Sequence, residues 1–166
     1  MLRFNSDHKF KIMQIADTQE IPAVSPDTLS LINNALDREK PDLVIFTGDQ
    51  IKGYSKKFKK DPAIIESTID ILVEPIAKRN IPFMVTYGNH DAQCGVDNRG
   101  QYKFYAKYDN FISGDLRNAD DVGTADIQIY SSTEDKPVFE LYIIDSHGKA
   151  KDGAGYAPVD KEQIEW

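Results

Sequence analysis

Three polar segments of the chain carry residue types that bind metal ions and move protons: Ala16-Asp17-Thr18-Gln19, Gly48-Asp49-Gln50 and Gly88-Asn89-His90-Asp91. Asp17 and Asp49 offer carboxylates, and Asn89 offers a neutral carbonyl oxygen. His90 could bind a metal or donate a proton to a leaving-group oxygen. Asp91 could hydrogen-bond that imidazole, holding its tautomer and favouring its charged form. Gly48 lets the backbone turn sharply beside a ligand. A lone aspartate after a strand is often only a turn or cap residue. Gly-Asn-His-Asp is more specific, because a bare turn has no use for histidine followed by aspartate. Brought together, these groups make a site for hard or borderline divalent metals, and they point to metal-assisted chemistry.

Apolar, β-rich runs precede all three segments: Phe10–Ile15, Leu43–Thr47 and Ile81–Tyr87. Helical patterns separate the runs. Pro26-Asp27-Thr28 opens one helix that reaches about Glu39 and carries Leu29, Ile32, Ala35 and Leu36 on one face. Asp61-Pro62 opens a second, with Ile64, Ile65, Ile69, Leu72, Val73 and Ile76 at helical spacing; Pro75 is expected to bend or shorten it. The result is βαβαβ, and right-handed crossovers place its strands in one parallel sheet. All three polar segments then meet at the sheet's carboxyl edge, where open α/β folds bind ligands. Asn98 to Asn110 reads as a further helix rich in Tyr and Phe. Ile127–Tyr130 and Val138–Ile144 read as a hairpin.

The chain has 166 residues, enough for one domain with a real core. Its net charge of −7 argues against a duplex nucleic-acid binder. A single cysteine, Cys94, excludes an internal disulfide and a CxxC zinc knuckle. No stretch approaches the roughly 18 apolar residues that span a membrane, so no membrane partner is expected. Residues 1–8 lack an apolar signal core, so the default expectation is cytoplasmic. The last residues, Asp160 to Trp166, read as a helix in its first turns with Asp160 as N-cap, which suggests a C-terminally truncated chain.

The residues resemble the calcineurin-like metallophosphoesterases, a family that includes purple acid phosphatases, protein phosphatases and cyclic-nucleotide phosphodiesterases. That family carries an Asp-x-His element, a Gly-Asp element, a Gly-Asn-His-Asp/Glu element, then a lone His and a Gly-His-x-His element. Gly48-Asp49 and Gly88-Asn89-His90-Asp91 match the second and third. The run Leu141 to Ser146 and Gln163-x-x-Trp166 resemble the approach to the fourth in purple acid phosphatase-like members. The resemblance runs from about residue 9 to 166 and implies one catalytic domain over 9–166. It implies an α/β fold, an incomplete αββα sandwich whose N-terminal half is the βαβαβ parallel sheet. It also implies two divalent ions (Mn, Fe, Zn or Mg). Asp17 would bind the first, Asp49 would bridge both and Asn89 would bind the second. His90 would contact the scissile phosphate and stabilise the leaving oxygen, with Asp91 orienting it. The implied reaction is attack of a metal-bound hydroxide on a phosphate ester, the expected substrate.

Two departures stand out. Gln19 occupies the histidine position of Asp-x-His; its carbonyl could bind a harder ion such as Mn or Mg, or the side chain could point away. The later histidine elements are absent, which leaves two or three protein ligands per ion and predicts weak or partial metal occupancy and little turnover. Missing strands would leave an exposed edge, so a homodimer covering that edge, with Trp166 as a contact candidate, is one expectation. The alternative to a hydrolase is a non-catalytic remnant of the fold acting as a binding or scaffolding module. A receiver-like domain would use Asp17 and Asp49 but gives no role to Gly88–Asp91.

Other residues fit plainer roles. Lys52, Lys56, Lys57, Lys59 and Lys60 read as a solvated loop that could attract a phosphorylated substrate, and Tyr54 could line a pocket. His147 reads as an exposed loop residue or a stand-in ligand, and Cys94 as packing. Tyr102, Phe104, Tyr105 and Tyr108 read as a helix packing face.

Overall fold

The computed structural model of the chain describes residues 1–150, 152, 153 and 155–166. Its first sheet holds β2 (Ile12–Ile15), β3 (Leu43–Thr47) and β4 (Phe83–Thr86), all parallel, in that spatial order. β3 and β4 are apolar and almost wholly buried, as central parallel strands must be. β2 lies at the edge and alternates exposed and half-buried residues. The strand is shorter than its apolar run: the Lys11 N–H donates to Asp42 Oδ2 (2.7 Å), and Phe10 packs on Phe4.

Two helices cross over between the strands. In α1 (Pro26–Glu39) the Ser25 side chain accepts the Asp27 N–H and proline opens the first turn. In α2 (Pro62–Ala77) Asp61 caps Ala63 in the same way. Pro75 does not end α2; the helix runs on to Ala77. Its missing N–H falls in the last turn, and burial of Ile69, Leu72, Val73 and Ile76 around it outweighs one lost bond. α3 (Asn98–Ala106) stops four residues short of the expected Asn110. The chain leaves the helix to pair with β4: Phe83 N–H donates to Asn110 O (3.0 Å) and Ile112 N–H to Phe83 O (2.8 Å).

The second sheet is built on the hairpin β6 (Ala125–Tyr130) and β7 (Pro137–Ile143). β1 (Leu2–Arg3) pairs with β6 in parallel, and β5 (Asp115–Leu116) pairs with it antiparallel. Leu43, Ile45 and Met84 face Leu2, Ile127, Ile129 and Ile143 between the two sheets. Val44, Phe46, Phe83 and Val85 face the helices on the other side, where Tyr105 of α3 is buried. The layers are therefore helices, sheet, sheet, with the short α4 (Lys161–Glu165) following β7 and Trp166 edge-on to Tyr142 at 5.6 Å. This is the αββα sandwich architecture with a thin fourth layer. Among the described residues no helix is long and apolar enough to cross a membrane.

Candidate metal centre

Register brings the polar segments together. Ile15, Phe46 and Val85 lie in one row across the first sheet. Asp17, Asp49 and Asn89 follow that row by two, three and four residues, at the carboxyl edge. The loops are laced to one another by backbone bonds. Asp17 N–H donates to Gly48 O (3.1 Å), Gln19 N–H to Asp49 O (2.9 Å) and Glu20 N–H to Gln50 O (3.1 Å). His90 N–H donates to Asp49 Oδ1 at 2.8 Å, which ties the second segment to the third and fixes that carboxylate.

The backbone at these positions is unusual. Asp17, Gln19 and Asp49 have φ of 54°, 42° and 53°, left-handed values that cost roughly 1–2 kcal/mol for a residue with a Cβ. Gly48 and Gly88 pack backbone to backbone. A Cβ on Gly48 would stand 2.5 Å from Gly88 N, and one on Gly88 would stand 2.2 Å from Asp49 Oδ1. Glycine here is a demand of space.

Asp91 departs from its expected role. Its carboxylate does not meet the His90 ring; it is buried (1% exposed) and accepts three backbone N–H groups. Oδ2 takes those of Asp49 and Gly88, each at 2.8 Å, and Oδ1 takes that of Ile51 at 3.3 Å. Burial pushes its pKa up to about 6 against the pull of those N–H donors. The imidazole instead meets Gln93, with Nδ1 3.1 Å from Oε1. Sequence reasoning passed over Gln93; its signal was an i, i+3 spacing from His90 along the 3-10 turn Asp91–Cys94. Gln101, fully buried, donates to Asp91 O (2.8 Å) and anchors that turn to α3.

Tyr54 does reach the site: its ring lies edge-on to His90, 4.7 Å between centroids. His147 has its imidazole turned to α4, Nε2 3.3 Å from Asp160 Oδ2. Gly148 beside it faces the Cα of Asn89. Cys94 is buried as packing, and Tyr105 with its aromatic neighbours forms the inner face of α3.

Donor chemistry tests whether a metal suits this edge. Asp17, Gln19, Asp49 and Asn89 are all oxygen donors, two anionic and two neutral, which suits hard divalent ions. Among the described residues no group of three or more His, Cys, Asp or Glu side chains is arranged to hold an ion.

Residues 10–165 match the model of the calcineurin-like phosphoesterase family. A Saccharomyces cerevisiae protein, phosphatase DCR2, is 33% identical over an alignment covering 96% of this chain and 30% of its own length. An Arabidopsis thaliana protein named probable inactive purple acid phosphatase 14 is 28% identical, with 93% of this chain and 44% of the relative covered. The chain thus spans less than half the length of these relatives. The crystal structure of a dimetal phosphatase from Danio rerio shares the fold, with a TM-score of 0.55 at 14% identity over 94% of this chain and 49% of that one.

Proposed function

Because this chain belongs to the calcineurin-like phosphoesterase family, we propose that residues 9–166 act as one catalytic domain that hydrolyses phosphate esters with divalent metal ions. The observation that supports this most is the lacing of the Asp17, Asp49 and Asn89-His90 loops at one sheet edge, with Asp49 Oδ1 held by the His90 N–H. Asp17, Gln19, Asp49 and Asn89 are the residues that would hold the ions, and an oxygen-only set favours Mn or Mg. When bound, such ions supply a Lewis acid that activates water and offsets charge on the phosphate oxygens.

His90 has its own task. With Nδ1–H donating to Gln93 Oε1, Nε2 is the atom left to face substrate. As an imidazolium it carries there the proton that the leaving oxygen takes. Asp91 keeps the loop backbone in place and leaves the proton transfer to its neighbour. The cytoplasm is the compartment we assign, in keeping with a single, buried cysteine.

Titration of the chain with Mn and para-nitrophenyl phosphate tests the reading. The expected result is saturable, Mn-dependent turnover that falls at least about 100-fold in His90→Ala with the fold intact by circular dichroism. A second reading, a non-catalytic module of the same fold, is favoured by Gln19 in the place of the family's histidine. The name of the Arabidopsis relative, which includes "inactive", points the same way. No Mn uptake at millimolar concentration, with no turnover, would decide for it.

Self-association belongs to the same proposal. β7 has no partner on its outer edge among the described residues, and Val138, Phe139 and Tyr142 are each about half exposed. A second copy laid along that strand would cover them.

A further inference from the structure

Lys52, Lys56, Lys57, Lys59 and Lys60 place five cations within nine residues of a chain whose net charge is −7. Lys9, Lys11, Lys78, Lys107 and Lys161 each stand within ion-pair distance of a carboxylate. None of the five loop lysines does so among the described residues. Their loop is nonetheless well fixed. Ser55 caps the 3-10 turn Lys56–Phe58, and Phe58 is buried beneath it at 1% exposure. Lys59 and Lys60 follow with φ of 54° and 55°. The stem of Lys60 lies against Gly95, its Cβ and Cγ 3.1 Å from where a Cβ there would stand.

This loop walls a cavity of about 270 Å³ lined by Tyr54, Ser55, Lys56, Lys59, Lys60 and Gln93. Two of those residues also touch His90: the Tyr54 ring lies 4.7 Å from the imidazole and Gln93 Oε1 lies 3.1 Å from Nδ1. Lys52 Nζ stands 5.2 Å over the Tyr54 ring. The cavity and the imidazole are therefore neighbours that share walls.

We propose that this lysine-lined cavity is a subsite for a second phosphate on the same substrate molecule whose ester phosphate meets His90. The proposal rests on the reading that His90 faces substrate. Lys56, Lys59 and Lys60 set like charges beside one small concavity, and a dianion bound there offsets them while gaining charge-assisted hydrogen bonds. The concavity and the acidic remainder of the surface favour a small bisphosphate over an extended polyanion.

Calorimetric titration of the full chain with glucose 6-phosphate, glucose 1,6-bisphosphate and 6-phosphogluconate tests this. The bisphosphate is expected to bind about tenfold tighter than the monophosphate. Lys56→Gln/Lys59→Gln/Lys60→Gln should erase that preference, with folding checked by circular dichroism. Equal affinity for the two sugars in the unmodified chain overturns the proposal, as does a preference that survives the triple change. If 6-phosphogluconate matches the bisphosphate, the second group is not specifically a phosphate and the assignment fails. His90→Ala should weaken all three probes. Lysine-dependent bisphosphate binding that His90→Ala leaves untouched would instead sink the reading of His90 and keep the anion site. Binding of no probe sinks both.

Discussion

Asp91 accepts hydrogen bonds from the backbone of two other loop positions and of Gly88 with a carboxylate almost sealed from water. Its removal strands three buried N–H groups. Asp91→Ala is expected to cost about 3 kcal/mol or more in urea unfolding, and Asp91→Asn less, because one carbonyl oxygen survives. Gly88→Ala tests the same junction sterically. A methyl 2.2 Å from Asp49 Oδ1 must push that carboxylate away. Mn affinity, read by titration, should fall in this variant even where the melting curve shows a folded protein. The meeting of these three loops at one edge was legible in sequence from the apolar runs that precede them. The partner of the imidazole was not legible. Adjacency suggested Asp91, but an adjacent side chain at the start of a 3-10 turn points inward, and Gln93, one turn on, returns to the ring.

At the scale of elements, one buried side chain ties helix α4 to residues flanking the β6–β7 hairpin. Gln163 is buried, accepts the Asp160 N–H (3.0 Å), and donates to Thr124 Oγ1 (2.9 Å) and Asp145 O (2.7 Å). Gln163→Leu leaves the Asp160 N–H and Asp145 O without this partner and should cost about 2 kcal/mol, with proteolysis after Ser146 rising before global unfolding. The hairpin carries a different strain. Burial, with the Glu140 carboxyl beside it, raises the pKa of Asp126 on the outer face of β6. A raised folded-state value means the native protein holds that proton more tightly than the unfolded chain. The stability gained is present below the ordinary carboxylate pKa and lost as pH rises through the folded value. Glu140→Gln should therefore stabilise the protein at pH 7 by a few tenths of a kcal/mol and by nothing near pH 3. Thermal melts at the two pH values check this. Strand and helix identities were legible from apolar period and helix starts, as with Pro26-Asp27-Thr28 and Asp61-Pro62. The end of α3 was not, because pairing of Asn110 and Ile112 with Phe83 is a long-range bond that no local pattern carries.

For the whole molecule, the two sheets share one apolar seam, and the side of β7 without a strand partner among the described residues is its weak flank. Phe139→Lys should reduce concentration-dependent association in sedimentation velocity, since a charge on an unpaired edge blocks strand addition. The parallel sheet is graded as well. β3 is covered on both faces and bonded on both sides, while β2 is half exposed and, among the described residues, has a neighbour on one side only. Deuterium should therefore enter the amides of β2 well ahead of those of β3. Asp17 and Gln19 hang from β2, so the loop whose glutamine replaces the histidine of the Asp-x-His element is expected to open ahead of the two it is laced to.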